Sequence, residues 1–218
     1  SLLLKGGKRE DPGRRGAGRI PGVEQMPHLQ DTGEAIRSLI SFLKERGAET
    51  AAAIPAERIV VDERVRLKCR VPVCDSYQKN LMCPPFVMSV GEFRRALRRY
   101  EEAVVIQVGG EIAGGEENLP TPDVFAPAGR LHELVNLGER EAFRKGFRFA
   151  AGLIGGCCRL CEVCVAAEGG THCRFPFRAR PSMEALGIDV AATLAQAGLA
   201  LAFPVRARVM WTGLILLH

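Results

Sequence analysis

Residues 155–176 read Gly-Gly-Cys-Cys-Arg-Leu-Cys-Glu-Val-Cys-Val-Ala-Ala-Glu-Gly-Gly-Thr-His-Cys-Arg-Phe-Pro, and they hold five of the eight cysteines in a chain of 218 residues. Cys158, Cys161 and Cys164 follow one another with two residues between, so their thiolates can converge on one small inorganic core. Cys173 follows after an eight-residue loop, with a proline three residues beyond it. This is the spacing of a 4Fe-4S ligand set. A CxxC knuckle also serves structural zinc, which stays as the alternative cofactor.

Working outward, the other three cysteines sit in Cys69-Arg-Val-Pro-Val-Cys74-Asp-Ser-Tyr-Gln-Lys-Asn-Leu-Met-Cys83-Pro-Pro. The segment has no helical or strand periodicity and ends in a double proline, so it reads as a loop with a fixed exit. Buried thiols pack as small hydrophobes, but three in one loop point to metal ligation. Cys69, Cys74 and Cys83 are therefore candidate ligands of a second cluster. Cys157 completes that set if the adjacent side chains of Cys157 and Cys158 serve different centres; otherwise it is a spare thiol and one iron stays open.

Eight cysteines in two groups, rather than scattered along a short secreted chain, argue for metal binding in a reducing cytoplasm over a disulfide framework. No apolar run approaches the roughly 20 residues of a membrane span. The formal charge is +5, and residues 1–25 carry six Lys/Arg against three Asp/Glu, which leaves only +2 for the remainder. That Gly- and Arg-rich stretch lacks periodicity and is expected to be a flexible basic leader to a single domain over residues 26–218. With so little charge beyond the leader, a nucleic-acid partner is not expected.

The remaining segments predict an α/β fold, with helices packed on a mixed sheet and the cysteine loops gathered at one end. Asp31 and Glu34 open an amphipathic helix on Ile36, Leu39, Ile40 and Leu43, residues 51–55 read as a loop, and residues 58–62 as a strand. Ser89 and Glu92 form a capping box for a second helix, whose outer face carries Arg94, Arg95, Arg98 and Arg99. That face is either simply solvated or a docking surface for an acidic redox partner. Residues 103–108 read as a strand, 109–129 as a long irregular loop, and Leu131, Leu134, Val135, Gly138 and Ala142 as a third helix. His132 is expected to be a surface or packing residue, and His172 to tune the cysteine site by hydrogen bonding. Asp189 caps a last helix, and residues 199–203 and 208–217 read as strands, the second apolar at both parities as if buried on both faces.

Four motifs carry a resemblance: the Cys74-x8-Cys83-Pro-Pro segment, Cys158-x2-Cys161-x2-Cys164, Cys173-Arg-Phe-Pro, and Arg180-Pro-Ser-Met-Glu-Ala-Leu-Gly-Ile-Asp-Val190. Together they make the chain similar, over roughly residues 30–217, to a cysteine-rich family of predicted metal-binding proteins whose function is unknown. The resemblance implies bound metal and brings no reaction with it.

From the residues, two functions are open. One is a 4Fe-4S electron-transfer protein serving a redox partner. The other is an enzyme whose three-cysteine cluster, held by Cys69, Cys74 and Cys83, exposes one iron to substrate. Structural zinc would make both groups folding staples. No P-loop, dinucleotide or Ser-His-Asp pattern competes. Gly155, Gly156, Gly169 and Gly170 are expected to bring backbone N–H groups close to the cluster sulfurs.

Overall fold

Along residues 102–111 the even-numbered Val104, Ile106 and Val108 alternate with Ala103 and Val105, all almost fully buried. A strand side chain points to alternate faces, so a strand apolar at both parities must be covered on both sides. In the computed structural model, which describes residues 32–112, 124–201, 205 and 208–218, that is how the chain folds. Strand β1 (Thr50–Pro55), β2 (Glu102–Glu111), β3 (Ala151–Ile154) and β4 (Arg208–Leu217) form one sheet in the order β1-β2-β4-β3. Every neighbouring pair is antiparallel, with Glu102 opposite Leu217 and Ile154 opposite Gly213. The mixed sheet of the sequence reading is thus corrected to an antiparallel one. Among the described residues, the only parallel pairing is an isolated bridge between Ile154 and Ser182.

One face is covered by α1 (Thr32–Glu45) and α4 (Ala126–Arg144), which pack Leu39, Leu43, Leu131 and Val135 against Val104, Ile106, Ile215 and Leu217. The other face is covered by α3 (Val90–Leu97), α5 (Val190–Gln196) and the single turn Glu184–Leu186. Phe93, Leu97, Met183, Leu186 and Leu194 there meet Ala103, Val105, Leu214 and Leu216. The result is a compact α/β domain with three layers. A short helix, α2 (Glu63–Leu67), stands beside α3 at the entrance to the first cysteine loop.

The caps are as the sequence indicates. Ser89 Oγ accepts from the Glu92 amide while the Glu92 carboxylate accepts from the Ser89 amide, and Asp189 accepts from the Ala192 amide. The Asp31 cap, the leader, the 113–123 part of the expected loop and residues 202–204, 206 and 207 lie outside the described residues.

Several expectations are corrected. Residues 51–55, expected as a loop, are strand β1, because pairing with β2 outweighs the low strand propensity of alanine. Residues 58–62, expected as a strand, make only one bridge, Val61 to Ile188; the Val60 amide donates to Thr193 Oγ1 instead. Strand β2 runs to Glu111 and α4 starts at Ala126, so both ends of the expected 109–129 loop are regular structure. Residues 199–201 form no strand; the Leu199 amide closes back on Leu194 after α5.

Candidate metal centre

Strand β3 delivers the chain to the cysteine run through Gly155 and Gly156. A Cβ on Gly155 would lie 2.6 Å from the Thr212 carbonyl oxygen, and Gly156 has φ +69° with Trp211 packed against it. Only glycine fits this pair of positions. The turn swings Cys157 and Cys158 off the end of the sheet. Trp211 Nε1 donates to the Val124 carbonyl, and the Arg159 guanidinium lies 3.7 Å from the centre of the Phe125 ring, so residues 124–125 wall one side of the run.

The glycine amides are spent on backbone and carboxylate oxygens rather than on sulfur, which corrects the expectation made for them. The Gly155 amide donates to Thr212 O, the Gly156 amide to the Glu184 carboxylate, and those of Gly169 and Gly170 to Ala166 and Val165. The amides that do meet thiols belong to Phe175, which donates to Cys173 Sγ at 3.3 Å, and to Leu160 beside Cys158. His172 is exposed with its Nδ1 taken up by Thr171 Oγ1.

The first cysteine loop opens with a tight hairpin. The Val71 amide donates to Leu67 O and the Cys74 amide to Cys69 O, with Arg70 and Val73 bridged between them. Asn80 then ties the loop to the cysteine run. Its buried side chain donates to the Cys158 carbonyl at 2.8 Å and accepts from the Met82 amide, while its own carbonyl accepts from the Cys83 amide. The Met82 carbonyl takes the Ser182 amide, so three separate segments are laced together at this end of the sheet.

All eight cysteines are free thiols, and their electrostatic surroundings divide them. Burial pushes the Cys83 thiol up, and the neighbours that add to this are Cys157, Cys74, Cys69 and Glu184. Cys69 is likewise raised by burial, then by Cys74 and Glu184. Cys158 is pushed up to about 11 by burial, opposed by its Leu160 amide bond, and its thiol neighbours are Cys173, Cys161 and Cys164. Cys69, Cys74, Cys83 and Cys157 thus share one neighbourhood, and Cys158, Cys161, Cys164 and Cys173 another. Among the described residues, no three His, Cys, Asp or Glu side chains are drawn together into a group that could hold a metal ion. The donor set nonetheless fits a thiolate-bound metal: each neighbourhood contributes four soft sulfurs, and a metal entering either would displace the protons that burial retains.

Helix α4 closes the far end of the cysteine run. His132 Nε2 lies 2.9 Å from the Arg178 carbonyl, which also accepts from Asn136 Nδ2. One turn on, the Glu139 carboxylate accepts from the Gly152 amide at 2.5 Å and from Arg180 Nη2 and Nε at 2.6 and 2.8 Å. One carboxylate therefore grips the chain both before and after the cysteines. His132, expected as a surface or packing residue, is buried and fixes the exit of the run. Asn80, Glu139 and Glu184 were missed by sequence reasoning. Nothing local marks Glu139; Asn80 and Glu184 fall inside motifs quoted above, without a role attached to them.

A cavity of about 690 Å³ adjoins the first neighbourhood, lined among others by Lys68, Gly155, Glu184, Trp211 and Thr212. Among the described residues no helix is long and apolar enough to cross a membrane.

A fold with two thiol neighbourhoods at one end of a covered sheet defines a cysteine-rich, metal-binding class of protein. Residues 52–217 match the family described as predicted metal-binding protein (DUF2284), and the chain belongs to that family. Comparisons with curated proteins and with solved structures gave no match.

Proposed function

We propose that the protein binds two 4Fe-4S clusters and acts in electron transfer to or from a partner. The observation that carries this reading is the division of the eight thiols into two sets of four, with adjacent Cys157 and Cys158 in different sets. Cys158, Cys161, Cys164 and Cys173 hold one cluster; Cys69, Cys74, Cys83 and Cys157 hold the other. When bound, such a cluster stores and releases one electron at a potential set by charge, hydrogen bonds and burial. The chain's own groups supply those settings. The Phe175 amide on Cys173 Sγ withdraws charge from sulfur, whereas the Glu184 carboxylate beside Cys69 and Cys83 adds negative charge.

Four thiols in the Cys69 set favour full coordination, and hence electron transfer, over an iron open to substrate. The 690 Å³ cavity beside that set is the observation that favours the enzyme reading, in which Cys157 is not a ligand and substrate enters past Lys68 and Glu184.

Iron and acid-labile sulfide analysis of anaerobically purified protein, with electron paramagnetic resonance of the reduced form, tests the proposal. About eight iron and eight sulfide per chain are expected from two cubanes. Iron near four would remove the second cluster. Stoichiometric zinc without sulfide would overturn the proposal and leave structural staples in its place.

A further inference from the structure

Residues 58–99, which comprise the first cysteine loop and its flanking helices, carry ten Lys/Arg against four Asp/Glu. Their surplus of six exceeds the +5 of the whole chain. Three of the four acids are already engaged: Asp62 with Arg64, Glu63 with Arg94, and Glu92 in the α3 cap. The exposed cations include Lys68 and Arg70, which flank Cys69, and Arg95 on α3. Arg66 donates to the Met88 carbonyl and Arg94 to the Val61 carbonyl, so α2 and the first turn of α3 lie side by side. The basic residues of α2, of the hairpin that follows it and of the first turn of α3 therefore adjoin one another.

Among these residues, the hairpin that carries Cys69 and Cys74 presents an apolar group to solvent. Leu67, Val71 and Val73 are 56%, 66% and 71% exposed, and Cys74 is exposed with them. Side chains this exposed gain nothing from the fold they sit on. An apolar centre with a charged rim is the anatomy of a protein–protein contact, and small transient interfaces are usual for electron carriers.

We propose that this surface docks a small acidic electron-carrier protein, bringing its redox group to the Cys69/Cys74 side of the domain. The proposal rests on the electron-transfer reading above. Charge complementarity selects the occupant. The chain's own leader, with its surplus of three basic residues, has the wrong sign to cover the surface. A single-stranded nucleic acid stacks its bases on aromatic platforms, and although Tyr77 and Phe86 lie in this segment, the most exposed apolar side chains, Leu67, Val71 and Val73, are aliphatic. In the transfer the carrier loses one electron and the iron centre gains it, with no bond or proton changing hands.

The test uses the iron-loaded protein with a purified flavodoxin as the carrier. Electron transfer from the flavodoxin hydroquinone is followed by stopped flow, with reduction by dithionite as the control that needs no docking. Two variants are compared: Lys68→Glu with Arg70→Glu in the hairpin, and Arg95→Glu on α3, remote from any cysteine in sequence. The expected result is a rate that falls about tenfold from low to high salt and by a similar factor in both variants at low salt, while Arg95→Glu is reduced by dithionite to the same extent as the unmutated protein. Should the hairpin variant lose iron, Arg95→Glu still decides. A flavodoxin rate indifferent to salt and to Arg95→Glu, with dithionite reduction intact, overturns the surface and leaves the electron-transfer reading standing. A centre that dithionite cannot reduce overturns that reading and the docking proposal with it. An oligonucleotide that binds these residues while flavodoxin does not also overturns it.

Discussion

The sheet and the cysteine end of this molecule are held by different physics. In the sheet, Val104, Ile106, Ile215 and Leu217 are wholly buried on one face and Ala103, Val105, Leu214 and Leu216 on the other. Register is fixed there, because a slip of one residue would exchange the two faces. At the cysteine end most cysteines are only partly buried, and order comes from side chains bonded to distant backbone: Asn80 to Cys158, Glu184 to Gly156, Glu139 to Gly152 and Arg180. A hydrophobic core tolerates the loss of one contact and stays closed. A lacing of single hydrogen bonds is specific but thin, and it leaves the thiols free for another purpose.

Four experiments break or sharpen this contrast. The largest effect is expected from Cys161→Ser, which removes one soft donor from the Cys158/Cys161/Cys164/Cys173 set. About half the iron should be lost on the two-cluster stoichiometry. Amide exchange should quicken through residues 155–180 while β2 and β4 stay protected. Exchange that rises equally in the central strands would show that the two regions do not fold as separate units.

Next, Ile106→Ala opens a hole in the core where no collapse is easy. A loss of about 2–5 kcal/mol is expected by urea unfolding, with iron content per folded chain unchanged. An unaltered midpoint would mean that the sheet is not the main source of stability.

Smaller in energy but opposite in character is Asn80→Ala. It orphans the Met82 amide and the Cys158 carbonyl, a cost of about 1–3 kcal/mol, and here iron retention against a chelator should fall more clearly than the thermal midpoint. Iron retention equal to the unmutated protein would remove Asn80 from the site.

The smallest effect concerns His132. Burial lowers its pKa first, the Arg178 carbonyl bond opposes this, Arg180 and Arg178 lower it further and Glu133 raises it slightly. Because the folded pKa lies below the unfolded value, the unfolded chain takes up the proton first as pH falls. Stability should therefore be full above about pH 6.5 and decline below it, at less than about 1.4 kcal/mol per pH unit. His132→Gln should flatten that part of the stability–pH curve; a slope that persists would assign it to other groups.

How much of this was legible in the sequence follows the same division. The Ser89/Glu92 box, the Asp189 cap and the double-sided apolar pattern of residues 208–217 are local signals, and each is found in place. Strand direction is not a local property. Nothing in the alternation of residues 103–108 distinguishes a parallel from an antiparallel neighbour, and alanines at 51–53 become a strand only because β2 offers them an edge. Spacing alone groups Cys158 with Cys161 and Cys164. That Cys157 neighbours Cys83 required the Gly155-Gly156 turn and the lacing by Asn80, both matters of tertiary placement. Glu139 sits seven residues beyond His132 on one side of α4, and only the return of the chain at residues 178–180 gives that stripe a meaning.

The grip of Glu139 has a consequence in polymer terms. By holding both Gly152 and Arg180 it converts the intervening excursion from an open strand of chain into a closed ring of about 28 links. Ring closure at that length costs about 3 kcal/mol in entropy, growing only as the logarithm of the number of links. With the ring closed by the fold, the thiols inside it meet an arriving ion at a high effective concentration. On the proposed ligand set, the affinity of this end for metal would therefore be set partly by a carboxylate that touches no cysteine.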